Sequence, residues 1–169
     1  MSGQLIAASA ASAVLTIDLA ALSRNWLKLR DHVRPAECAA VVKANAYGLG
    51  IDAIVPALAK AGCRSFFVAH VSEAILARAA LGPDNQSFRI FVLNGLQTGA
   101  ASWRDYVEHG LIPVLGSAGE LRDWAACASG IRDRLPAALH TEGGDDPHVR
   151  WTRSAWAAGR CPARPRGPP

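Results

Sequence analysis

One lysine, Lys43, closes the apolar run at residues 39–42 and is followed at once by Ala-Asn-Ala-Tyr-Gly-Leu-Gly, so that Asn45, Tyr47, Gly48 and Gly50 lie directly behind an amine. The small and β-branched residues of that run read as a strand buried on both faces, ending where the chain turns polar and rich in glycine. Lys43 therefore falls at a strand's carboxyl end. In parallel α/β architectures ligands bind at that end, because the loops converge there and the following helices aim their N-termini inward. An amine partly desolvated by aliphatic neighbours has its ammonium form disfavoured and becomes a usable nucleophile, the requirement of Schiff-base chemistry. The plainer reading is a lysine that snorkels out of a strand end into water. The other two lysines, Lys28 and Lys60, fall on predicted helices away from any strand end.

The elements that must position this amine read as an alternation of strand and helix. Residues 13–17 (AVLTI) suit a strand, and Asp18 suits the N-cap of a helix over 19–33, in which Leu22, Trp26 and Leu29 make one apolar stripe. After the lysine strand, Asp52 can cap a helix running to Lys60, with Pro56 in or near its first turn and Gly62 as its C′ residue. Residues 65–69 form the next strand, Ser72 and Glu73 open a helix over 74–81, and 88–93 form another strand ended by Asn94-Gly95. A helix over 100–109 stops at Gly110. Residues 111–115 suit a strand in which Pro113 lacks a ladder donor and counts against a central position. Ser117 and Glu120 make an S-x-x-E capping box before a helix over 121–128, and 136–139 begins a last strand. A repeating βα unit with short connections, and no G-x-G-x-x-G after its first strand, favours a barrel over a dinucleotide fold.

Composition narrows the class of partner. With 169 residues, half of them apolar, the chain suits one domain with a sizeable core. Of the formal net charge of +4, about half comes from residues 141–169, which hold five Arg against three acidic groups. No basic stripe with interleaved aromatics appears, so no nucleic-acid partner is expected. Cys38, Cys63, Cys127 and Cys161 form no C-x-x-C pair and have no histidine at ligand spacing, so they read as reduced, mostly buried thiols without a metal. The first twelve residues lack a basic n-region despite an Ala8-Ser9-Ala10 that imitates a cleavage site, and are expected to be a loose leader on a cytoplasmic protein. No apolar run approaches the length of a bilayer span.

The segment VVKANAYGLG closely resembles the lysine motif of bacterial alanine racemases, Ala-Val-Val-Lys-Ala-Asn-Ala-Tyr-Gly-His-Gly, with Leu49 in the place of the histidine. TIDLAALSRNWLKLR resembles that family's lead-in strand and helix, and FFVAHVSEAILAR and RIFVLNG look like its second and third barrel strands. The resemblance covers residues 13–140 and implies an α/β fold, a partial (β/α)8 TIM barrel forming the N-terminal portion of the family's barrel. It implies pyridoxal 5'-phosphate as cofactor, with Lys43 forming the internal aldimine and taking or delivering the α-proton on one face of the substrate. It implies that the Tyr47 hydroxyl bonds the cofactor phosphate, that the substrate is alanine, interconverted between L and D forms for peptidoglycan, and that the enzyme is a homodimer. In the family the second base is a tyrosine from the partner's second domain. Tyr106, the only other tyrosine here, falls mid-helix at a spacing that fits packing or surface. His70 ends the second barrel strand at the ligand-bearing end, Asn45 is expected to fix the loop, and Trp26, Trp103 and Trp124 to pack the barrel's outer shell.

From Thr141 the chain has no Leu, Ile, Met or Phe and is dense in Arg, Pro, Gly and Ala, so the expected division is a leader over 1–12, a partial barrel over 13–140 and a disordered tail over 141–169. Family members should here read Asp-Thr-Gly-Met-x-Arg. One codon choice for Gly144-Asp145-Asp146-Pro147-His148, shifted by a base, spells Gly-Met-Thr-Arg, which favours a truncated, frameshifted racemase; the alternative is a natural basic tail. The chain alone is expected to be inactive for want of the second base. Other readings are a non-catalytic truncated product or a single-domain pyridoxal-phosphate-binding protein.

Overall fold

In the computed structural model, which describes residues 13–83, 85–96, 102–128 and 135–140, five strands lie side by side in the order of the sequence. They are β1 (Ala40–Val41), β2 (Ser65–Val68), β3 (Arg89–Val92), β4 (Leu111–Leu115) and β5 (Ala138–Leu139), each parallel to its neighbour. Helix α1 (Leu19–His32) precedes β1, and α2 (Ile51–Ala61), α3 (Val71–Ala80), α4 (Ser102–Glu108) and α5 (Ala118–Ala128) each follow one of the first four strands. A parallel sheet that grows by one strand per βα unit, without changing direction, is the wall of a (β/α) barrel. The expected α/β class and partial TIM barrel are what the structure has.

The apolar runs that suggested strands resolve into a strict two-sided alternation. Val42, Phe66, Val68, Ile90, Val92 and Leu115 point into the main core, between sheet and helices, where Trp26, Val55, Leu58 and Trp124 meet them. Phe91, Ile112 and Val114 point the other way and form a second cluster, with Phe67 and Ala138 against it. Buried Arg78 ties α3 to the sheet's amino end, donating to the carbonyls of Phe88, His109 and Gly110 at 2.8–2.9 Å.

Several expectations need correction. Residues 13–17 form no strand: Val14 and Leu15 are 66% and 75% exposed, and β-branched composition cannot make a strand where no described edge offers a ladder. Leu29 is exposed, and the stripe of α1 is completed by Leu19 and Leu27 instead. Val41 is 48% exposed, so β1 is covered on one face only. Pro113 lies in β4, a strand flanked on both sides. Pairing with β5 begins only at Val114, so the missing N–H costs no ladder bond on that side.

Asp18 does cap α1, its carboxylate accepting the Ala21 amide at 2.9 Å, and Gly62 closes α2 at φ 108°. Asp52, however, lies inside α2 rather than at its cap, as does Pro56. Helices α3 and α5 begin three residues earlier than read, at Val71 and Ala118. Cys38, Cys63 and Cys127 are free, but only Cys63 is buried, and burial pushes its thiol up to about 11. Cys161, the leader over 1–12 and the tail over 141–169 lie outside the described residues. Among the described residues no helix is long and apolar enough to cross a membrane, and no His, Cys, Asp or Glu group could hold a metal ion.

Candidate functional site

The extended chain of β1 ends at Val42, whose φ of −126° and ψ of 24° leave the strand region. Ala44, Asn45, Ala46 and Tyr47 then all have positive φ, between 52° and 54°. This is a turn of left-handed helix built from L residues, each costing roughly 1–2 kcal/mol relative to the right-handed form. It persists because its surroundings determine it. The Ala46 amide donates to the Val42 carbonyl at 2.9 Å, and the Gly48 amide to the Ala44 carbonyl at 2.9 Å. Gly48 itself, at φ 83°, supplies the exit that a side chain would resist. Ala46 is buried, and the Asn45 side-chain oxygen accepts the Ile51 amide at 2.9 Å, capping α2 from a neighbouring loop.

Glu73 holds the turn from across the sheet. One carboxylate oxygen accepts the Ala44 amide at 2.6 Å, and the other accepts the amides of Ala69 at 2.9 Å and His70 at 3.3 Å. Partial burial raises the Glu73 carboxyl pKa, but the amides of Ala69, His70, Ala44 and Asn45 outweigh it, and the net direction is down. The sequence presents Glu73 only as a helix opener. The spacing from His70 marks it as the N3 residue of α3, yet nothing local announces a bond that spans 29 residues.

The turn leaves Lys43 exposed and Tyr47 62% exposed, both at the carboxyl end of the strands where the sequence placed them. The aliphatic sheath expected around Lys43 is absent among the described residues, because Val42 points into the core behind it and Val41 is itself half open to solvent. Tyr47 likewise packs under no described loop. His70 is exposed beyond β2, and its Nδ1 lies 3.4 Å from the side-chain Nδ2 of Asn94 just past the end of β3. Tyr106 is fully buried: its hydroxyl donates to the Gly95 carbonyl at 2.7 Å and its ring meets Trp124 edge-on. Of the tryptophans, Trp26 and Trp124 are buried in the shell as expected, and Trp103 is half-buried.

A family model described as "Alanine racemase, N-terminal domain" matches residues 17–147. The chain belongs to that family. The alanine racemase of Methylobacterium sp. (strain 4-46) is 53% identical over 140 residues, which are 83% of this chain and 37% of that protein. That of Brucella ovis is 46% identical over 137 residues, 80% of this chain and 33% of that protein. The chain thus spans about a third of the length of these relatives. Among solved structures, alanine racemase from Bartonella henselae with covalently bound pyridoxal phosphate superposes with a TM-score of 0.65 at 43% identity, over 72% of this chain and 32% of that one. Alanine racemase from Streptomyces coelicolor A3(2) gives 0.66 at 31% identity, over 80% and 36%.

Proposed function

We propose that this chain is the N-terminal barrel portion, over residues 13–140, of a pyridoxal-phosphate-dependent alanine racemase, with Lys43 as the residue that carries the cofactor and Tyr47 as a ligand of its phosphate. The observation that supports this reading is the place of Lys43: an exposed primary amine at the carboxyl end of the first barrel strand, on a turn held in a costly conformation. Backbone strain of this kind accumulates where a side chain must be aimed. The donor set suits an aldehyde-bearing phosphate cofactor, since an amine to condense with the aldehyde and a phenol to meet the phosphate stand on one turn.

Lys43 would hold the cofactor through its amine and Tyr47 would meet its phosphate, and the group bound there would supply a ring able to take up the charge left by the substrate's α-proton. The chain's own part is to hold the amine at the strand end and to exchange a proton at Nζ on one face of the amino acid. Inversion needs a second base on the other face. Tyr106 is unfit for it, being buried and bonded to the Gly95 carbonyl. In the family the second base is a tyrosine from the partner's second domain, and a homodimer in which a partner completes the site fits this chain. The product, D-alanine, is then made in the cytoplasm for peptidoglycan.

The test is to add pyridoxal phosphate to the purified chain, follow its visible absorbance, reduce with borohydride and map the labelled peptide. Lys43 is the expected site, and preferential labelling of Lys28 or Lys60 in folded protein sinks the assignment. Negligible conversion of L- to D-alanine by the 169-residue chain is expected in the same preparation. Robust turnover that disappears in Lys43→Ala would mean that a residue of this chain is the second base.

A further inference from the structure

Glu73 has a counterpart. Glu120, at the start of α5, accepts the Gly116 amide of its own loop at 2.8 Å and the Leu96 amide of the loop after β3 at 3.1 Å. Glu73 does the same with the Ala69 amide of its own loop at 2.9 Å and the Ala44 amide of the loop after β1 at 2.6 Å. In both cases the glutamate stands four residues beyond the amide of its own loop. Continuing the registers of Val41 with Phe67 and Val92 with Pro113 sets Lys43 level with Ala69 and Gly95 level with Gly116. The amide captured across the sheet is then, each time, the next one along. The sheet therefore contains two copies of one device, and in the first copy the position before the captured amide is Lys43, where the second has Gly95.

The second copy shows what the device does by itself. Gly95 lies under the Glu120 carboxylate so closely that an added Cβ would stand 1.9 Å from it, so there the clamp fastens two loops and presents no side chain. In the first copy the same clamp fastens a left-handed turn to α3 while leaving the side chain before it exposed. We propose that Glu73 is a positioning residue: by holding the Ala44 and Ala69 amides together it fixes the backbone from which Lys43 projects, and so sets the amine's reactivity toward its carbonyl partner. This inference rests on the assignment of Lys43 as the cofactor lysine.

The experiment uses the full chain and three variants: E73Q, which keeps the length but replaces one acceptor oxygen with a donor; E73D, which keeps the charge but is a methylene too short to span both loops; and E120Q as the matched break in the second clamp. Two quantities are read, amide exchange in the peptide covering residues 43–50 and the rate at which pyridoxal phosphate with borohydride modifies Lys43. E73Q and E73D should speed exchange in that peptide and slow Lys43 modification about 10- to 100-fold, the worth of a charged hydrogen bond. E120Q should leave both within about twofold of the unaltered chain. A Lys43 rate unchanged in E73Q or E73D overturns the proposal, and so does an equal slowing in E120Q, which would make the effect one of general stability. If either Glu73 variant fails to fold by circular dichroism, the other decides. Unaltered protein that takes no label at Lys43 overturns the cofactor assignment itself, and the exchange comparison then judges the clamp separately.

Discussion

The two faces of the sheet are built from the same kinds of residue and end in different states. On the helix-covered face Phe66, Val68 and Ile90 are fully buried, and every strand from β1 to β4 contributes side chains to one continuous core. On the other face burial is graded: Phe91 and Ile112 in the middle are 3% and 5% exposed, Phe67 is half-buried, and Val41 in β1 is 48% exposed. A covered face stabilises the fold through the area it removes from water. An open face contributes less, and in exchange leaves its carboxyl-end residues, Lys43 and Tyr47 among them, accessible. Stability and the proposed chemistry are thus divided between the two sides of a single sheet.

Truncating a ring on each face measures the division most directly. Phe66→Ala should cost about 3–5 kcal/mol, the usual value for an aromatic removed from a packed core, and that is a large part of a small domain's stability. Phe67→Ala removes the adjacent ring, which stacks on Phe91 at 4.5 Å between centroids, and should cost about 1–2 kcal/mol because the ring retains contact with water before the change. Urea unfolding of both variants checks the contrast. Equal costs would show that the second face is closed in solution and would remove the basis of the comparison.

Acid should act through the loops that join the faces, with a smaller effect. Glu73, Glu120 and Glu37 all have carboxyl pKa values lowered in the folded chain. For Glu120 the amides of the loops are the largest influence. For Glu37 burial raises the value, and the hydrogen bond from Arg89, that from Ser65 and the charge of Arg89 together lower it further. A group whose folded pKa is depressed adds stability above its unfolded value of 4.5, and that stability is lost as pH falls through the lower folded value. The melting temperature should therefore hold steady from neutrality to about pH 5 and drop below it. In E73Q/E120Q the drop should be shallower, since only Glu37 remains of the three. An unchanged slope would mean that neither clamp carries its charge in the folded state.

How far the sequence foretold this arrangement depends on the range of the interaction concerned. The strands β2 to β4 were legible because runs such as SFFV and RIFV are aromatic and β-branched and are bounded by turn residues. The caps at Asp18 and Ser117 were legible because a cap is settled within four residues. Lys43 and Tyr47 could be placed at a strand's carboxyl end for the same local reason. The strand expected over 13–17 failed because a strand needs an edge that composition does not report. The left-handed turn gave no warning, since Ala44 and Ala46 have no preference for that region and only Asn45 tolerates it well. Glu73 reads locally as a helix opener and not as a clamp, and the choice between a sheathed and a water-exposed Lys43 stays open in the sequence because it depends on which face Val41 and Val42 turn toward.

The smallest expected effect on stability belongs to the residue on which the chemistry is proposed to rest. Lys43 is exposed, its side chain makes no hydrogen bond among the described residues, and the turn behind it is held by backbone amides, Asn45 and Glu73 rather than by the amine. Lys43→Ala removes a solvated chain and leaves every one of those bonds in place. Its unfolding free energy should therefore stay within about 0.5 kcal/mol of the unaltered chain, as for ordinary surface changes. In the same protein, covalent capture of pyridoxal phosphate should be abolished. Urea midpoints and borohydride mapping on one preparation give both readings. A loss well above 1 kcal/mol would mean that the amine packs against the open face and helps to close it. Stability and chemistry would then share one side of the sheet, and the contrast between the faces would have to be redrawn with Lys43 on the structural side.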